Sequence, residues 1–400
     1  RAVRQYEKFK GSGHDLRLYH DSALWIPDTV SRYIKETGDL AFLDQSVPFM
    51  DPQTLKDSET EAGTIYEHAC RAVRSVYTHS GYHGLCKIGY GDWNDAISGI
   101  GGEKGVSVWL SCACVYAAKI MSDLASFLGK DADHKEFNEI ARTMTERINA
   151  NAWDGAWYIY AINGEGLPIG SKTSPEGKIH LNVNTWAIFS GVAAAAGREE
   201  QVWKSIEQLA SPYGHLLLKP SYTVASRPVV GRIADIMPGM FENGSMYTHG
   251  ESFYLYALMS AGKSDKWLAE MYKTLPSNLV PDIATGPPQQ QSNFSVGPDH
   301  VAFGSCLFSN FTGSVGWYRR TIEKVVGVWA EYKGLRIAPL PPSTWEKYQV
   351  KRTFRGSHLV INFRRGRENK VLLDGQKVGG LIPTELLSPG KTHKVDVTFV

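Results

Sequence analysis

A change of texture near residue 330 constrains this chain more than any other feature. Before it, apolar residues recur at helical spacing; after it, they alternate as in strands. Trp25–Thr37 has a proline in its first turn and stops at Gly38-Asp39, which predicts a helix with ordinary ends. Glu59–His79 carries Ile65, Ala69, Ala72, Val73 and Val76 near a 3.6-residue period and predicts a second. Further amphipathic stretches fall near 106–128, 132–151, 182–197, 199–210, 250–262, 264–274 and 312–328. Between them lie long loops rich in glycine and proline, at 81–105, 152–181, 211–249 and 279–309. Loops of that length inside a compact domain are usually functional. The expectation is a ring of helices whose loops carry the site at one end. Leu335–Ile337, Tyr348–Phe354, His358–Arg364, Lys370–Leu373 and His393–Val400 read as strands, with Asp374-Gly375 as a turn. The division expected is a helical domain over 1–330 and a small β-domain over 331–400.

Charge narrows the function. Lys plus Arg total 43 against 41 Asp plus Glu, a net +2 with no basic stripe, so neither nucleic acid nor an anionic membrane is an expected partner. No apolar run is read as approaching the roughly 18 residues of a membrane span. Cys70, Cys86, Cys112, Cys114 and Cys306 are scattered and odd in number. That favours neither a disulfide framework nor a zinc site, and fits a reducing cytoplasm. The chain opens on RAVRQYEKFK without a methionine, which reads as a fragment. Its 11 Trp and 19 Tyr are a generous supply of flat apolar rings; most belong in a core, and a few suit pyranose faces.

Four clusters carry polar chemistry. In Gly89-Tyr90-Gly91-Asp92-Trp93-Asn94-Asp95 two carboxylates flank an aromatic, and a carboxyl in such a half-dry setting becomes a general acid. The same heptapeptide also reads as a turn in which Asp92 caps the next segment. In Glu242-Asn243-Gly244 through His249, Glu242 and Asn243 suit sugar hydroxyls, and His249 opens a helix where an oxyanion is welcome. Ser309-Asn310-Phe311-Thr312-Gly313-Ser314 starts another helix and suits phosphate, or serves as a plain N-cap. His20-Asp21-Ser22 places an acid before the first helix, where it reads equally as a cap.

Taken in order, these clusters resemble glycoside hydrolase family 94, the inverting disaccharide phosphorylases that include cellobiose and chitobiose phosphorylases. The resemblance runs through Leu24-Trp25-Ile26-Pro27, Arg32-Tyr33-Ile34-Lys35-Glu36-Thr37-Gly38-Asp39, Gly91-Asp92-Trp93-Asn94-Asp95 and Trp153-Asp154-Gly155 with Trp157-Tyr158. It continues through Glu176-Gly177-Lys178-Ile179, Asn184-Thr185-Trp186-Ala187, Glu242-Asn243-Gly244 with His249, Gly297-Pro298-Asp299-His300, Thr312-Gly313 and Phe354-Arg355-Gly356.

The resemblance implies a mainly α fold, an (α/α)6 helical barrel followed by a C-terminal β-sandwich, with the family's N-terminal β-sandwich absent. It implies reversible phosphorolysis of a β-linked glucose-type disaccharide to α-glucose 1-phosphate, with inorganic phosphate as substrate, no cofactor, no metal and a homodimer. On that reading Asp95 is the general acid, and one acid suffices because phosphate is already anionic. Asp21, Trp93 and Glu242 match substrate contacts; His249, Thr312 and Gly313 match the phosphate site. The family's phosphate-binding arginine corresponds to Arg17 or to the His14 region. Arg232 suits an anionic acceptor, or a pairing with Asp235, which is the plainer reading. The polar loop 286–294 suits the acceptor. Two alternatives stay open: an inverting hydrolase with Glu242 as base, and a chain-length-control domain of a β-glucan synthase.

Overall fold

The computed structural model describes residues 17, 19–51, 54, 56–275, 293–306 and 313–400. Its helices, numbered in chain order, are α1 (Trp25–Thr37), α2 (Ile65–Thr78), α3 (Val108–Phe127), α4 (Asp131–Asn151), α5 (Leu181–Phe189), α6 (Val192–Ala195), α7 (Glu199–Ile206), α8 (Arg227–Val230), α9 (Thr248–Ser260), α10 (Ser264–Thr274) and α11 (Ser314–Val326). Two layers follow from their side chains. Helices α3, α5 and α9 are buried along nearly their whole length, whereas α2, α4 and α10 bury one stripe and expose the rest. A helix apolar on all sides belongs inside, an amphipathic one outside. Accordingly α1, α3, α5, α9 and α11 neighbour one another in that order. The ring closes where Arg320 and Arg319 of α11 reach Asp28 and Glu36 of α1.

Three expectations need correction. The helix read from Glu59 begins at Ile65, because Thr64 and Glu67 form a reciprocal capping box, while Asp57–Thr64 is a strand paired with Ser46–Met50. The stretch 182–197 breaks at Gly191, whose φ is 84°, into α5 and α6. Helix α3 does meet the length and hydropathy of a membrane span, with 20 residues and a mean hydropathy of 1.3. Its side chains are spent on the core instead, around Trp109, Met121 and Leu124.

The C-terminal strands begin at Val328, directly after Gly327 ends α11. A three-stranded sheet (Val328–Glu331, Gly334–Ile337, Leu381–Pro383) faces a five-stranded one. The larger is ordered Lys347–Phe354, Ser357–Arg365, Thr392–Phe399, Lys370–Leu373, Gln376–Val378, with its second and third strands parallel. Leu335 and Ile337 from one sheet share a core with Ile361, Phe363 and Val395 from the other. The strands at Leu381–Pro383 and Gln376–Val378 lacked the alternation that marks the rest. All five cysteines are buried thiols.

Candidate active site

The inner helices all start at one mouth. Ser107 caps α3, accepting from the Leu110 N–H at 2.9 Å, and its hydroxyl also donates to Asp92. Tyr160, whose hydroxyl donates to the same carboxylate, stacks on His180 at the start of α5. Asp21 precedes α1, His249 lies in the first turn of α9, and Gly313 precedes α11. Helix N-termini, with their free N–H groups and positive dipole ends, are therefore gathered on one side of the ring, a setting suited to an anion.

Within the Gly91–Asp95 loop the two acids part company. Asp92 is fully buried and accepts from Ser107, Tyr160 and, at 2.9 Å, the Asn94 N–H. Burial lifts its carboxyl to about 6 despite those donors. It holds the loop in shape; the cap of the next helix is Ser107, not Asp92. Asp95 is only partly buried. Asp21 is buried too, and burial followed by the charge of Asp92 lifts it to about 7, with the Trp25 indole donating to it at 3.2 Å.

Trp93 joins the acid loop to the expected phosphate site. Its indole N–H donates to His249 Nδ1 at 3.1 Å, and its ring lies 5.0 Å from those of His249 and Phe253. Burial depresses His249 to about 3, so the imidazole is neutral. With Nδ1 accepting from Trp93, the ring proton sits on Nε2. That atom faces the start of α11: a Cβ on Gly313 would lie 2.9 Å from it. Glycine here lets the helix terminus come close to the imidazole. Thr312, expected beside it, lies outside the described residues, as do His14 and 286–292 of the acceptor loop.

Glu242 stands in a strained turn: Phe241 before it has φ 46°. Burial raises its carboxyl, and nearby Asp95 adds to the effect. Its neighbour Asn243 is not a sugar ligand. It is buried, accepting from the Tyr222 N–H at 2.7 Å and donating to the carbonyls of Tyr222 and Ile236 at 2.9 and 2.8 Å. That staple fixes Glu242 from behind. Gly297 packs so closely that a Cβ would fall 2.0 Å from the Gly244 carbonyl oxygen.

Two arginines flank the mouth. Arg17 lies 5.5 and 5.4 Å from the rings of Tyr19 and Tyr90, and its bond to the Tyr90 phenol lowers that hydroxyl. Arg227, not Arg232, pairs with Asp235, at 2.7 Å. The charge of Arg232 is felt at Tyr90 and Glu242 instead. Ser107, Tyr160, Tyr222 and Tyr247, which bonds Glu242, were not legible as site residues, since only folding brings them there.

Residues 3–327 match the family described as glycosyl hydrolase 94 superfamily, catalytic domain. The chain is 37% identical over 399 residues to a solabiose phosphorylase of Paenibacillus borealis, covering 96% of this chain and 50% of that protein. It is 32% identical to a 3-O-beta-D-glucopyranosyl-beta-D-glucuronide phosphorylase of the same organism, with the same coverage. A cellobionic acid phosphorylase of Neurospora crassa is also 32% identical, over 95% of this chain and 48% of that protein. The chain thus spans about half the length of these relatives. In fold it is similar to a GH78 family rhamnosidase of Bacillus sp. GL1, with a TM-score of 0.55 at 15% identity, over 96% of this chain and 35% of that one.

Proposed function

Because this chain belongs to the glycosyl hydrolase 94 superfamily through its catalytic domain, we propose that it holds the active centre of an inverting disaccharide phosphorylase. The substrates are a β-linked glucose-type disaccharide and inorganic phosphate, and the products are α-glucose 1-phosphate and the acceptor sugar. Three relatives carrying phosphorylase names support this reading. The single observation that carries it is the 3.1 Å bond from Trp93 to His249, which couples the loop of the acid to an anion cradle.

Phosphate sits between His249 Nε2–H and the N-terminus of α11, with Thr312 and Gly313 supplying a hydroxyl and an N–H. It attacks the anomeric carbon from the face opposite the acceptor. As the bond to the acceptor oxygen breaks, the proton of Asp95 goes to that oxygen, and the anomeric configuration inverts. Asp21 and Glu242 hold donor hydroxyls, and Trp93 backs the sugar. The acid and the incoming anion suffice for this displacement, so no cofactor is assigned to it. The barrel we assign is the family's six-hairpin (α/α)6, of which five inner helices lie among the described residues, and a homodimer completes the acceptor side.

The test is release of α-glucose 1-phosphate by the full-length protein from a panel of β-linked disaccharides, with and without phosphate. Asp95→Asn should lower it by a factor on the order of 10²–10⁴, the usual worth of a general acid. Sugar release indifferent to phosphate would transfer the assignment to a hydrolase with Glu242 as base.

A further inference from the structure

Behind the site, on the far face of α9, three buried side chains converge. His215 and Glu251 are fully buried and Glu270 nearly so. One ligand atom from each lies within 4.8 Å of the others. Helical spacing separates Glu251 from His249 by two residues, so one side of α9 faces the pocket and the other faces this cluster. Gly214 permits the approach: with φ 116°, it lies where a Cβ would come 3.3 Å from the Glu251 carboxyl.

The charges do not balance with a neutral imidazole. Lys273 Nζ lies 3.0 Å from Glu270 Oε1 and 2.9 Å from Oε2 and offsets one carboxylate, which leaves the other buried without a cation if the imidazole is neutral. A positive charge therefore belongs in the gap, and distances decide which kind. His215 Nδ1 is 3.5 Å from Glu270 Oε2 and 3.9 Å from Glu251 Oε1. Both exceed the 2.7–3.2 Å of an N–H···O hydrogen bond. Neither ring nitrogen of His215 meets hydrogen-bond geometry with a partner among the described residues, nor does Glu251 Oε1, although the two nearby carboxylates raise the imidazole to about 9 against its burial. Around a tetrahedral zinc with bonds of about 2.0–2.1 Å, neighbouring ligand atoms stand about 3.3 Å apart, close to these separations. The outer oxygen of Glu251 is already fixed by the His215 N–H at 2.9 Å, an orienting contact of the kind metal-binding carboxylates receive.

We propose that His215 Nδ1, Glu251 and Glu270 form a structural site for a divalent transition ion of the zinc type, with water as fourth ligand. The ion ties the first turn of α9 to α10 and to the hairpin at Gly214–His215. It takes no part in the chemistry and braces the helix that presents His249.

The experiment is elemental analysis of the full-length protein, purified without a polyhistidine tag, beside melting curves with chelator and with added zinc chloride. One equivalent of zinc per chain is expected. Chelation should lower Tm by about 5 °C or more, and zinc, not magnesium, should restore it. Glu251→Gln and His215→Gln should each abolish the stoichiometric zinc. A folded wild-type protein without stoichiometric metal, whose Tm ignores zinc, would overturn the proposal and leave a buried imidazolium in its place. Zinc retained in full by both variants would overturn it as well. The wild-type measurement decides even where a variant fails to fold, and none of these readouts depends on phosphorolysis.

Discussion

At the scale of single residues, the site gathers carboxyls that burial raises above their ordinary range. Asp21 illustrates it, raised to about 7. Below about pH 4 both folded and unfolded chains hold that proton, and folding pays no penalty. Between there and pH 7 the unfolded chain ionises first, so stability falls as pH rises, by an amount on the order of 4 kcal/mol. Asp21→Asn should therefore raise Tm over the wild type at pH 8 far more than at pH 4, while weakening turnover; equal gains at both pH values would refute the assignment. Gly313 gives a steric counterpart. Alanine there would come 2.7 Å from the His249 ring, so Gly313→Ala should raise the phosphate KM on the order of 10²-fold and leave the disaccharide KM nearly unchanged.

At the scale of elements, Ser107 serves two structures with one hydroxyl: it caps α3 and donates to buried Asp92. Ser107→Ala removes the cap, worth about 1 kcal/mol, and leaves a buried acceptor short of a donor, worth about 1–3 more. A loss of about 2–4 kcal/mol in denaturant unfolding is expected, together with reduced activity, because the same loop carries Asp95. Much of this level was legible. The ends of α1, α3, α4, α9, α10 and α11 and of all five strands expected beyond residue 330 lie within two residues of where periodicity and turn chemistry put them. The strand at Asp57–Thr64 was missed although Thr64-x-x-Glu67 announces a helix start, because the apolar period was extended backward through polar residues.

At the scale of the molecule, the ring of inner helices sorts charge by its two ends. Their N-termini gather around Trp93 and His249, where we propose that phosphate binds. Around their C-terminal halves Arg32, Lys35, Lys119, Arg320 and Lys324 line a cavity interleaved with Asp28, Asp123 and Glu323, as the negative dipole ends favour. The β-domain closes that end through Arg355. Its guanidinium donates to Lys35 O at 2.8 Å, Tyr332 O at 3.1 Å and the Thr384 hydroxyl at 2.9 Å, so it caps α1 and locks the two domains together. Arg355→Met should lower Tm measurably, by about 2–4 kcal/mol of stability, yet keep kcat/KM within twofold in protein that circular dichroism shows to be folded. A fall in activity without loss of fold would mean that the β-domain reaches the site.

By itself the sequence determined what short-range chemistry can fix: helical period to about residue 326, strand alternation beyond it, and ordered motifs dense enough to point to a family. It also put the acid, the histidine and the glycine in loops and helix starts. Tertiary structure decided how alike residues divide their work. Asp92 and Asp95 differ by three positions in the chain and not at all in side chain, yet one is sealed under Ser107 and Tyr160 while the other stays only partly buried. Asn243 became a staple for Tyr222 and Arg227 took Asp235 for the same reason. Burial and hydrogen-bond partners come from segments tens of residues away, and no local pattern encodes which of two identical groups they will reach.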